Sequence, residues 1–273
     1  MNSMKVVLIT GCSSGIGFST ANLLAERGFK VYATMRDISK NNFNHELIDV
    51  VELDVNSEQS VENAIKTIFE KEHRIDVLVN NAGYGLIGTV EDMEIDELKN
   101  QFETDFIGAV RTMKKIIPIM REQKDGKIIN ISSIAGQMGF PLTSAYAASK
   151  YALEGFTDSL RQELSQTGIS LCLIEPGVVK SKFLSNMKIV KNTKENGDAF
   201  KMKKQAELMF ERGTKTEVVA EKILHVINSD EIEPRYVVGE DAELLIENKK
   251  RMNGLEFEKS IQELFKDVMT FTD

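Results

Sequence analysis

The feature that most constrains this chain is an alternation of short apolar runs with longer segments of helical period. The short runs are rich in β-branched residues and leucine, which is typical of strands buried on both faces of a parallel sheet. The alternation predicts βαβ units in a doubly wound α/β sheet with helices on both faces. The predicted strands are Val6–Ile9, Val31–Ala33, Val50–Leu53, Val77–Val79, Ile128–Ile131 and Ile169–Ile174, and the predicted helices are residues 16–27, 57–72, 94–121 and 145–167.

The length of 273 residues fits one large domain with a C-terminal extension, so we expect a single domain over 1–273. Residues 182–213 are polar and lysine-rich but carry methionine and phenylalanine, and they predict a segment that covers either a substrate or the core. Residues 216–229 predict a helix and residues 235–238 a last strand. A charged helical extension is expected over 240–273.

Composition excludes several classes of protein. The formal net charge of −8 argues against nucleic-acid binding, which needs a basic face. Two cysteines, Cys12 and Cys172, are too few for a disulfide framework, and the three histidines lack metal-ligand spacing, so no metal site is expected. Because no apolar run is long enough for a membrane span or a signal-peptide core, we expect a cytoplasmic protein without a membrane span.

A glycine-rich turn joins the first predicted strand to the first predicted helix. Glycine permits a tight turn and close backbone approach, and a helix N-terminus offers unpaired N–H donors to a pyrophosphate. The Gly-x3-Gly-x-Gly spacing differs from the GxGxxG fingerprint, and by itself it also fits a strand–helix connection without a ligand. Its place between strand and helix favours a dinucleotide site that includes Gly11, Ser13, Ser14, Gly15, Ile16 and Gly17.

A second cluster indicates proton transfer. Ser133 follows a predicted strand, and Tyr146 and Lys150 stand at i and i+4 on one face of a predicted helix. Tyrosine, with an unperturbed pKa of about 10, is a weak base at neutral pH, but a nearby ammonium favours its phenolate. Tyr146 can then exchange a proton with a substrate oxygen that Ser133 also binds. An isolated Tyr-x3-Lys is usually a surface pair, and only the combination with the glycine turn favours the catalytic interpretation.

Together these motifs resemble the short-chain dehydrogenase/reductase family in its single-domain branch, over residues 4–181 or so. The resemblance implies a Rossmann-type fold and hydride transfer between a nicotinamide cofactor and a carbonyl or alcohol. Thr10–Gly17 with Lys30–Asp37, and Ser144–Leu164, look most similar to the steroid- and retinol-dehydrogenase-like subgroup. The motifs that carry the resemblance are Thr10-Gly11-x3-Gly15-Ile16-Gly17, Asn80-Asn81-Ala82-Gly83, Ser133, Tyr146-x3-Lys150 and Pro176-Gly177.

The resemblance also implies roles for the matching residues. Tyr146 is the expected general acid–base, Lys150 is expected to bind the nicotinamide ribose and tune Tyr146, and Ser133 is expected to position the substrate carbonyl. Asp54 is expected to accept a hydrogen bond from the adenine, with Val55 beside it. The remaining expected contacts are Asn80, Asn81, Ala82 and Gly83 at the nicotinamide side and bracing the sheet, and Pro176, Gly177, Val179 and Ser181 at the carboxamide end.

One position departs from the family pattern. The family usually has asparagine on the long central helix, where it holds a water in the proton relay, and this chain has Asp105. An anion near Lys150 favours the charged ammonium yet weakens its effect on Tyr146. Asp105 then works protonated, or replaces the amide as a relay acceptor, or lowers activity. We include Asp105 among the catalytic candidates and expect retained activity with a shifted pH profile.

The end of the second strand bears on the choice of nicotinamide. NAD enzymes place a carboxylate on the ribose 2′-OH here, whereas an arginine suits the 2′-phosphate of NADP. Asp37 lies 20 positions after Gly17, which keeps NAD(H) open. By resemblance, Met35 stands where the NAD-specific acid would be and Arg36 follows it. We therefore expect NADP(H), with Arg36 and Ser13 near the phosphate.

The favoured function is an NADP(H)-dependent oxidoreductase whose small-molecule substrate is a fairly apolar ketone or secondary alcohol. The alternative is an NAD(P)-binding, redox-sensing regulator with weak or no catalysis, against which the intact Ser133, Tyr146 and Lys150 argue. An epimerase or dehydratase acting on nucleotide sugars is disfavoured, because those relatives resemble a different glycine spacing and a larger C-terminal domain.

Oligomerisation is a further expectation from the resemblance. Relatives pair the helices that here carry Asp105 and Tyr146 with those of a second subunit, which implies a homodimer or homotetramer. Phe156, Leu160 and Leu164 fit such a contact, and they fit packing against the sheet equally well.

Overall fold

Seven parallel strands form the central sheet of the computed structural model, which describes residues 4–194 and 197–266. The sheet has the order β7-β6-β5-β4-β1-β2-β3, so the predicted doubly wound sheet and all seven predicted strands are confirmed. The order reverses between β1 and β4, where open α/β sheets bind ligands at the carboxyl ends of their strands. The strands are β1 (Val6–Ile9), β2 (Lys30–Met35), β3 (Ile48–Glu52), β4 (Val77–Asn80), β5 (Gly126–Ile131), β6 (Ile169–Pro176) and β7 (Arg235–Val238).

Helices cover both faces of the sheet. The prediction of helices at 16–27, 57–72, 145–167 and 216–229 is confirmed, within two or three residues at each end. Ser57 caps the second helix by accepting the N–H of Ser60 at 3.2 Å. The helices are α1 (Gly15–Glu26), α2 (Glu58–Glu72), α3 (Ile95–Phe102), α4 (Gly108–Gln123), α5 (Ser144–Leu164), α6 (Phe183–Asn186), α7 (Asp198–Arg212), α8 (Thr216–Asn228), α9 (Glu240–Arg251) and α10 (Gly254–Leu264).

The two faces of β1 show why its sequence is continuously apolar. Val7 and Ile9 pack with α1 and α8 on one face, and Val6 and Leu8 pack with α2, α4 and α5 on the other. Full burial of such a side chain contributes about 1.5–3 kcal/mol to folding. The sheet is therefore a rigid platform, and the loops at its carboxyl edge are placed by it.

The predicted helix over 94–121 is not continuous. A π-helical turn, Glu103–Ile107, separates α3 from α4. Such a turn inserts a residue into the helical ladder and is often found at functional sites. Its buried residue is Asp105. Hydrophobic periodicity does not register one inserted residue, so the pattern predicted one helix.

The segment 182–213 covers part of the core and leaves other apolar residues partly exposed. It forms α6, a strand Lys188–Ile189 paired with Leu86–Ile87, and α7. Leu184 and Met202 are buried, whereas Phe183 is only partly so. Core covering therefore holds for Leu184 and Met202, whereas the covering of a substrate stays a prediction.

The C-terminal extension forms α9 and α10, with residues 267–273 outside the described part of the chain. Ala242 and Ile246 of α9 pack against Ile134 and Met138, which lie in the loop after β5.

None of the helices in the described part of the chain is long and apolar enough to cross a membrane.

Two of the three apolar positions suggested for a subunit contact belong to the core. Leu160 and Leu164 are buried against the sheet together with residues of α2 and α4. Phe156 is partly exposed, and its ring lies 5.7 Å from that of Phe106. Packing on the sheet accounts for the apolar character of Leu160 and Leu164, so a subunit contact would have to use Phe156 or residues elsewhere.

Candidate active site

Two positions of the glycine turn after β1 have no room for a side chain. Gly11 has a φ of 73°, and a Cβ on it would lie 2.8 Å from Cα of Ala82. A Cβ on Gly17 would lie 2.6 Å from the side-chain nitrogen of Asn81. The turn after β1 is therefore packed directly against the turn after β4, as the predicted cofactor site requires.

Thr10 joins these two turns, a role that the sequence did not reveal. Its hydroxyl oxygen accepts the N–H groups of Asn81 and Ala82 at 2.9 and 3.0 Å. Asn81 in turn donates its side-chain amide to the carbonyls of Thr10 and Gly11 at 2.8 and 3.0 Å. The sequence signal for this role was a hydroxyl residue at the end of β1, directly before Gly11.

The N-terminus of α1 is open to an anion. Ser14 occupies the N-cap position in an extended conformation and makes no capping hydrogen bond, and the first turn holds no acidic residue. The first N–H groups of the helix and its dipole are therefore available to a phosphate. A Cβ on Gly15 would lie 3.5 Å from Cβ of Ser181, so this predicted residue borders the same space. These residues fit a dinucleotide pyrophosphate.

The other predicted residues of the turn differ in exposure. Ser13 is exposed at the turn, and Ile16 packs against the core below it. Val179 is buried and pairs with Thr214 beside the loop that holds Ser181.

The end of β2 presents one free charge. Arg36 is exposed and makes no hydrogen bond or ion pair with any described residue. Asp37 accepts from the backbone N–H and the hydroxyl of Ser39 at 3.1 and 2.5 Å, and these bonds lower its pKa. Met35 is buried. The arginine is therefore the available group here, and the carboxylate is already engaged.

Three predicted residues near β3 and β4 are already engaged within the fold. Asp54 accepts the N–H of Asn56 at 3.0 Å, and Val55 is buried. Asn80 is buried and donates to Asn130 at 2.9 Å, so it braces neighbouring strands as expected. The contact of Asp54 with an adenine stays a prediction.

Ser133, Tyr146 and Lys150 converge at the carboxyl edge of the sheet. Lys150 is buried and donates to the carbonyl of Ile131 at 3.1 Å, and its Nζ lies 5.7 Å from the centre of the Tyr146 ring. The Ser133 hydroxyl lies 3.5 Å from the carbonyl oxygen of Pro176 and accepts the N–H of Ala135 at 3.2 Å. The i, i+4 spacing and the strand-end serine thus correspond to one cluster.

Asp105 lies beneath this cluster. Its Oδ1 accepts the N–H of Tyr84 at 3.1 Å, and its Oδ2 lies 3.4 Å from Nζ of Lys150, an ion-pair contact without hydrogen-bond alignment. A Cβ on Gly83 would lie 2.9 Å from the same Oδ2, so the carboxylate packs under the turn after β4. Burial raises the pKa of Asp105 to about 6, against the attraction of Lys150.

The charges of this cluster are coupled. Burial by itself disfavours the Lys150 ammonium, but Asp105 and Tyr146 outweigh it and raise the lysine pKa. The pKa of Tyr146 is raised as well, chiefly because dense surroundings remove water from this partly exposed side chain. Asp105 adds to that increase, whereas Lys150 and Ser133 oppose it. The raised pKa values of Lys150 and Tyr146 agree with the expectation that an acid at position 105 favours the ammonium and weakens its effect on the tyrosine.

Apolar rings border Tyr146 on its open side. The ring of Phe183 lies 5.8 Å from that of Tyr146, and Phe210 stacks on Phe183 at 6.4 Å. Met187 approaches Gly85 on the same side, where a Cβ on the glycine would lie 2.9 Å from Cε of the methionine. A substrate that reaches Tyr146 from this side meets an apolar wall.

The turn after β6 is held by a residue of the C-terminal extension. Asp241 of α9 accepts the N–H of Val178 at 2.7 Å, and a Cβ on Gly177 would lie 2.3 Å from the same carboxylate oxygen. Gly177 also donates to the carbonyl of Val238 at 3.0 Å. Sequence reasoning missed Asp241, whose only signal was an acid in the first turn of the last predicted helical region.

Comparison with known proteins agrees with this geometry. The family model "short chain dehydrogenase" matches residues 5–192. A Helicobacter pylori protein named "Probable short-chain type dehydrogenase/reductase VdlC" is 35% identical over 247 residues, which are 88% of this chain and 90% of that protein. The 3-ketodihydrosphingosine reductase of Bacteroides thetaiotaomicron is 41% identical over 194 residues, 71% of each chain.

A solved structure is similar over most of its length. The structure of ElxO with NADP bound has a TM-score of 0.73 and 28% sequence identity, and the match covers 86% of this chain and 96% of ElxO. The family model spans more than half of the chain, in the region that holds the glycine turn and the Ser133–Tyr146–Lys150 cluster. The chain therefore belongs to the short-chain dehydrogenase family and is an oxidoreductase that acts on CH–OH or C=O groups.

Proposed function

We propose that this protein interconverts an apolar ketone and the corresponding secondary alcohol with NADP(H), and that Tyr146 is its general acid–base. The proposal is carried by one observation: Lys150 lies next to the Tyr146 ring, and Ser133 belongs to the same strand edge as the glycine cradle. An acid–base group, a charge that tunes it and a hydroxyl donor are then available to one substrate oxygen.

NADP(H) fits the residues of the cradle. When bound, the nicotinamide group supplies or accepts the hydride. Gly11, Gly15 and Gly17 leave room for the pyrophosphate at the open N-terminus of α1. The Arg36 guanidinium, which is exposed and unpaired among the described residues, suits a 2′-phosphate, and the nearby carboxylate of Asp37 is engaged by Ser39. The similarity to ElxO, which was solved with NADP, supports the same choice.

The proton steps follow from the charges of the cluster. In the direction of reduction, the Tyr146 hydroxyl donates its proton to the substrate oxygen as the alcohol forms, and the Lys150 ammonium stabilises the resulting phenolate. Ser133 donates a hydrogen bond to the same oxygen. In the reverse direction the phenolate accepts that proton. With a pKa of about 6, Asp105 is mostly ionised at neutral pH and keeps Lys150 charged. This favours the role in which Asp105 replaces the usual amide as an acceptor in the proton relay.

The substrate side supports an apolar ketone. Phe183, Phe210 and Met187 line the approach to Tyr146, and aromatic and methionine side chains suit adaptable apolar sites. The relative named 3-ketodihydrosphingosine reductase acts, by its name, on a ketone. We therefore place the substrate among ketones with a long apolar chain.

The decisive experiment measures NADPH oxidation with a series of ketones of increasing chain length, in wild type and in Tyr146→Phe. Loss of the acid–base group is expected to lower kcat by about 10²-fold or more, with NADPH affinity by fluorescence titration retained. Tyr151→Phe is the matched control, since Tyr151 is an exposed tyrosine on the same helix. A redox-sensing regulator would instead bind NADPH without turnover in all three proteins.

A further inference from the structure

A second group of buried charges lies one helical turn beyond Lys150. Glu154 of α5 and Glu175 of β6 are 5% and 0% exposed. Arg235, the first residue of β7, contacts both: its Nε lies 2.9 Å from Oε2 of Glu154 and 3.2 Å from Oε1 of Glu175. The proposed reaction makes no use of these three residues.

The charges of this group do not balance. Arg235 also contacts the exposed carboxylate of Asp158 at 2.6 Å, so one guanidinium faces three carboxylates. Lys150 is engaged by Asp105 and by a backbone carbonyl. Among the described residues no second cation pairs with either buried glutamate, and a buried anion without a partner is costly.

The neutral neighbours supply too few donors. Gln137, after β5, donates its amide to Glu175, and Lys249 of α9 reaches only the backbone carbonyl of Gln137. In the described part of the chain, Oε1 of Glu154, Oε1 of Glu175 and Oγ of Ser132 are buried without an aligned hydrogen-bond partner. The Ser132 and Glu154 atoms both lie next to Gly136, where a Cβ would be 2.8 Å from Oγ of Ser132 and 3.1 Å from Oε1 of Glu154.

One proton resolves both difficulties. Two neighbouring carboxylates that contact the same guanidinium nitrogen repel each other when both are ionised. A proton held between them removes one negative charge and supplies a hydrogen-bond donor between the two carboxylates. The remaining single charge is then balanced by Arg235.

We propose that Glu154 and Glu175 share one proton, and that this pair, held by Arg235, positions the strand ends that carry the reactive groups. Ser132 precedes Ser133 directly, Glu175 precedes Pro176 directly, and Lys150 stands four residues before Glu154 on α5. The pair thus lies directly before Pro176 in β6, one helical turn from Lys150 in α5, and close to Ser132, the residue before Ser133. Its kinetic consequence rests on the proposed function, whereas its effect on folding does not.

The pKa directions agree with a shared proton. Burial raises the pKa of Glu175 to about 8, and the charge of Glu154 adds to the increase. Burial raises the pKa of Glu154 too, against Ser132 and Arg235. A carboxyl whose pKa is raised on folding stabilises the fold fully below its unfolded pKa, and this stability is lost as the pH rises through the folded pKa. Asp105, with a pKa of about 6, still titrates at the lower end of the window from pH 6.5 to 8, so the difference in slope between wild type and the glutamine variants is what isolates the pair.

Equilibrium unfolding over pH 6.5–8 tests the proposal without any turnover. For one extra proton in the folded state, the unfolding constant of wild type should rise by up to about tenfold per pH unit. Glu175→Gln and Glu154→Gln each keep a donor at the site without titrating, so the part of the rise that comes from the pair should disappear in both. Glu163→Gln, an exposed glutamate on the same helix, is the matched control and should keep the wild-type slope.

Ketone reduction gives the positioning readout. A fall of kcat/KM caused by loss of the Tyr146 proton would persist in Glu175→Gln, so a fall near pH 8 that this variant lacks reports the pair. We expect a several-fold fall in wild type and none in Glu175→Gln. The double variant E154Q/E175Q leaves Arg235 without a buried anion and should lose more activity and stability than the two single changes together.

Unfolding slopes that run parallel in wild type and both single variants would overturn the proposal, and so would the failure of both single variants to fold. If only one of the two single variants fails to fold, the unfolding slope of the other one tests the proposal, because a glutamine at either position supplies the hydrogen-bond donor that the proton would supply. Were wild type to lack reductase activity, the proposed function would fail while the unfolding slopes still decided the shared proton.

Discussion

The carboxylate of Asp105 and the ammonium of Lys150 form a buried ion pair, with Oδ2 and Nζ 3.4 Å apart. Each partner is also fixed from elsewhere in the fold: Asp105 by the N–H of Tyr84 and Lys150 by the carbonyl of Ile131. Removing one partner of such a pair leaves a buried charge uncompensated. The pair therefore sets the charge next to Tyr146, and its chemistry can be tested by removing the anion alone.

Asp105→Asn should move the pH profile of alcohol oxidation. The change removes an anion that raises the pKa of Tyr146, so the phenolate forms at lower pH. We expect the alkaline rise of kcat/KM to move to lower pH, and the titration near pH 6 to disappear. The measurement is kcat/KM for a secondary alcohol from pH 5 to 10, with the exposed Asp96→Asn as control. Superimposable profiles for wild type and D105N would mean that the acid at this position is neutral to the reaction.

Arg36→Ala should erode the preference for NADPH. The guanidinium is exposed and unpaired among the described residues, so a 2′-phosphate would supply its partner. A charge-assisted hydrogen bond contributes about 1.5–3 kcal/mol, which corresponds to a loss of tenfold or more in the ratio of kcat/KM for NADPH over NADH. Asp37→Asn is the control and should leave the ratio nearly unchanged, because that carboxylate is bound to Ser39. A wild-type enzyme that prefers NADH would refute the assignment.

The features predicted from the sequence are those written in short stretches of chain. The strands follow from local apolar runs, and the Tyr146–Lys150 pair follows from i, i+4 spacing on one helix. The contacts that escaped prediction join distant positions: Asp241 with Val178, and Arg235 with Glu154, are 63 and 81 residues apart. No periodicity encodes such pairs, since tertiary packing alone brings them together.

The π-helical turn escaped for a different reason. The residues around Asp105 keep a helical composition, and one inserted residue shifts the apolar phase too little to be seen in a single sequence. The shift nevertheless decides where Asp105 lies, because it places the carboxylate under Gly83 and next to Lys150. A residue expected near the proton relay by resemblance is thus brought there by a distortion that periodicity does not predict.

Phe183→Ala should weaken binding of long-chain ketones more than short ones. The Phe183 ring lies between Tyr146 and Phe210, and its loss removes apolar surface from the approach to the hydroxyl. A buried phenylalanine contributes about 1.5–3 kcal/mol, so KM for a long-chain ketone should rise by about tenfold or more while kcat changes little. Phe200→Ala, at an exposed position on α7, is the control. Equal effects on a short and a long ketone would argue against an apolar substrate site here.

A comparison of Gly11→Ala with Gly28→Ala separates backbone strain from loss of the cofactor cradle. Both glycines have positive φ, 73° and 84°, so alanine is strained at either position by about 1–2 kcal/mol. Only Gly11 adds a clash, because its Cβ would lie 2.8 Å from Cα of Ala82, whereas nothing lies within 4 Å at Gly28. Overpacking of this kind costs about 1–3 kcal/mol more.

Thermal unfolding should therefore show the larger loss of stability for G11A, and NADPH should raise the unfolding midpoint of wild type and G28A but not of G11A. Equal losses in the two variants, with NADPH stabilising both, would show that the close contact between the two turns is not needed for the cofactor.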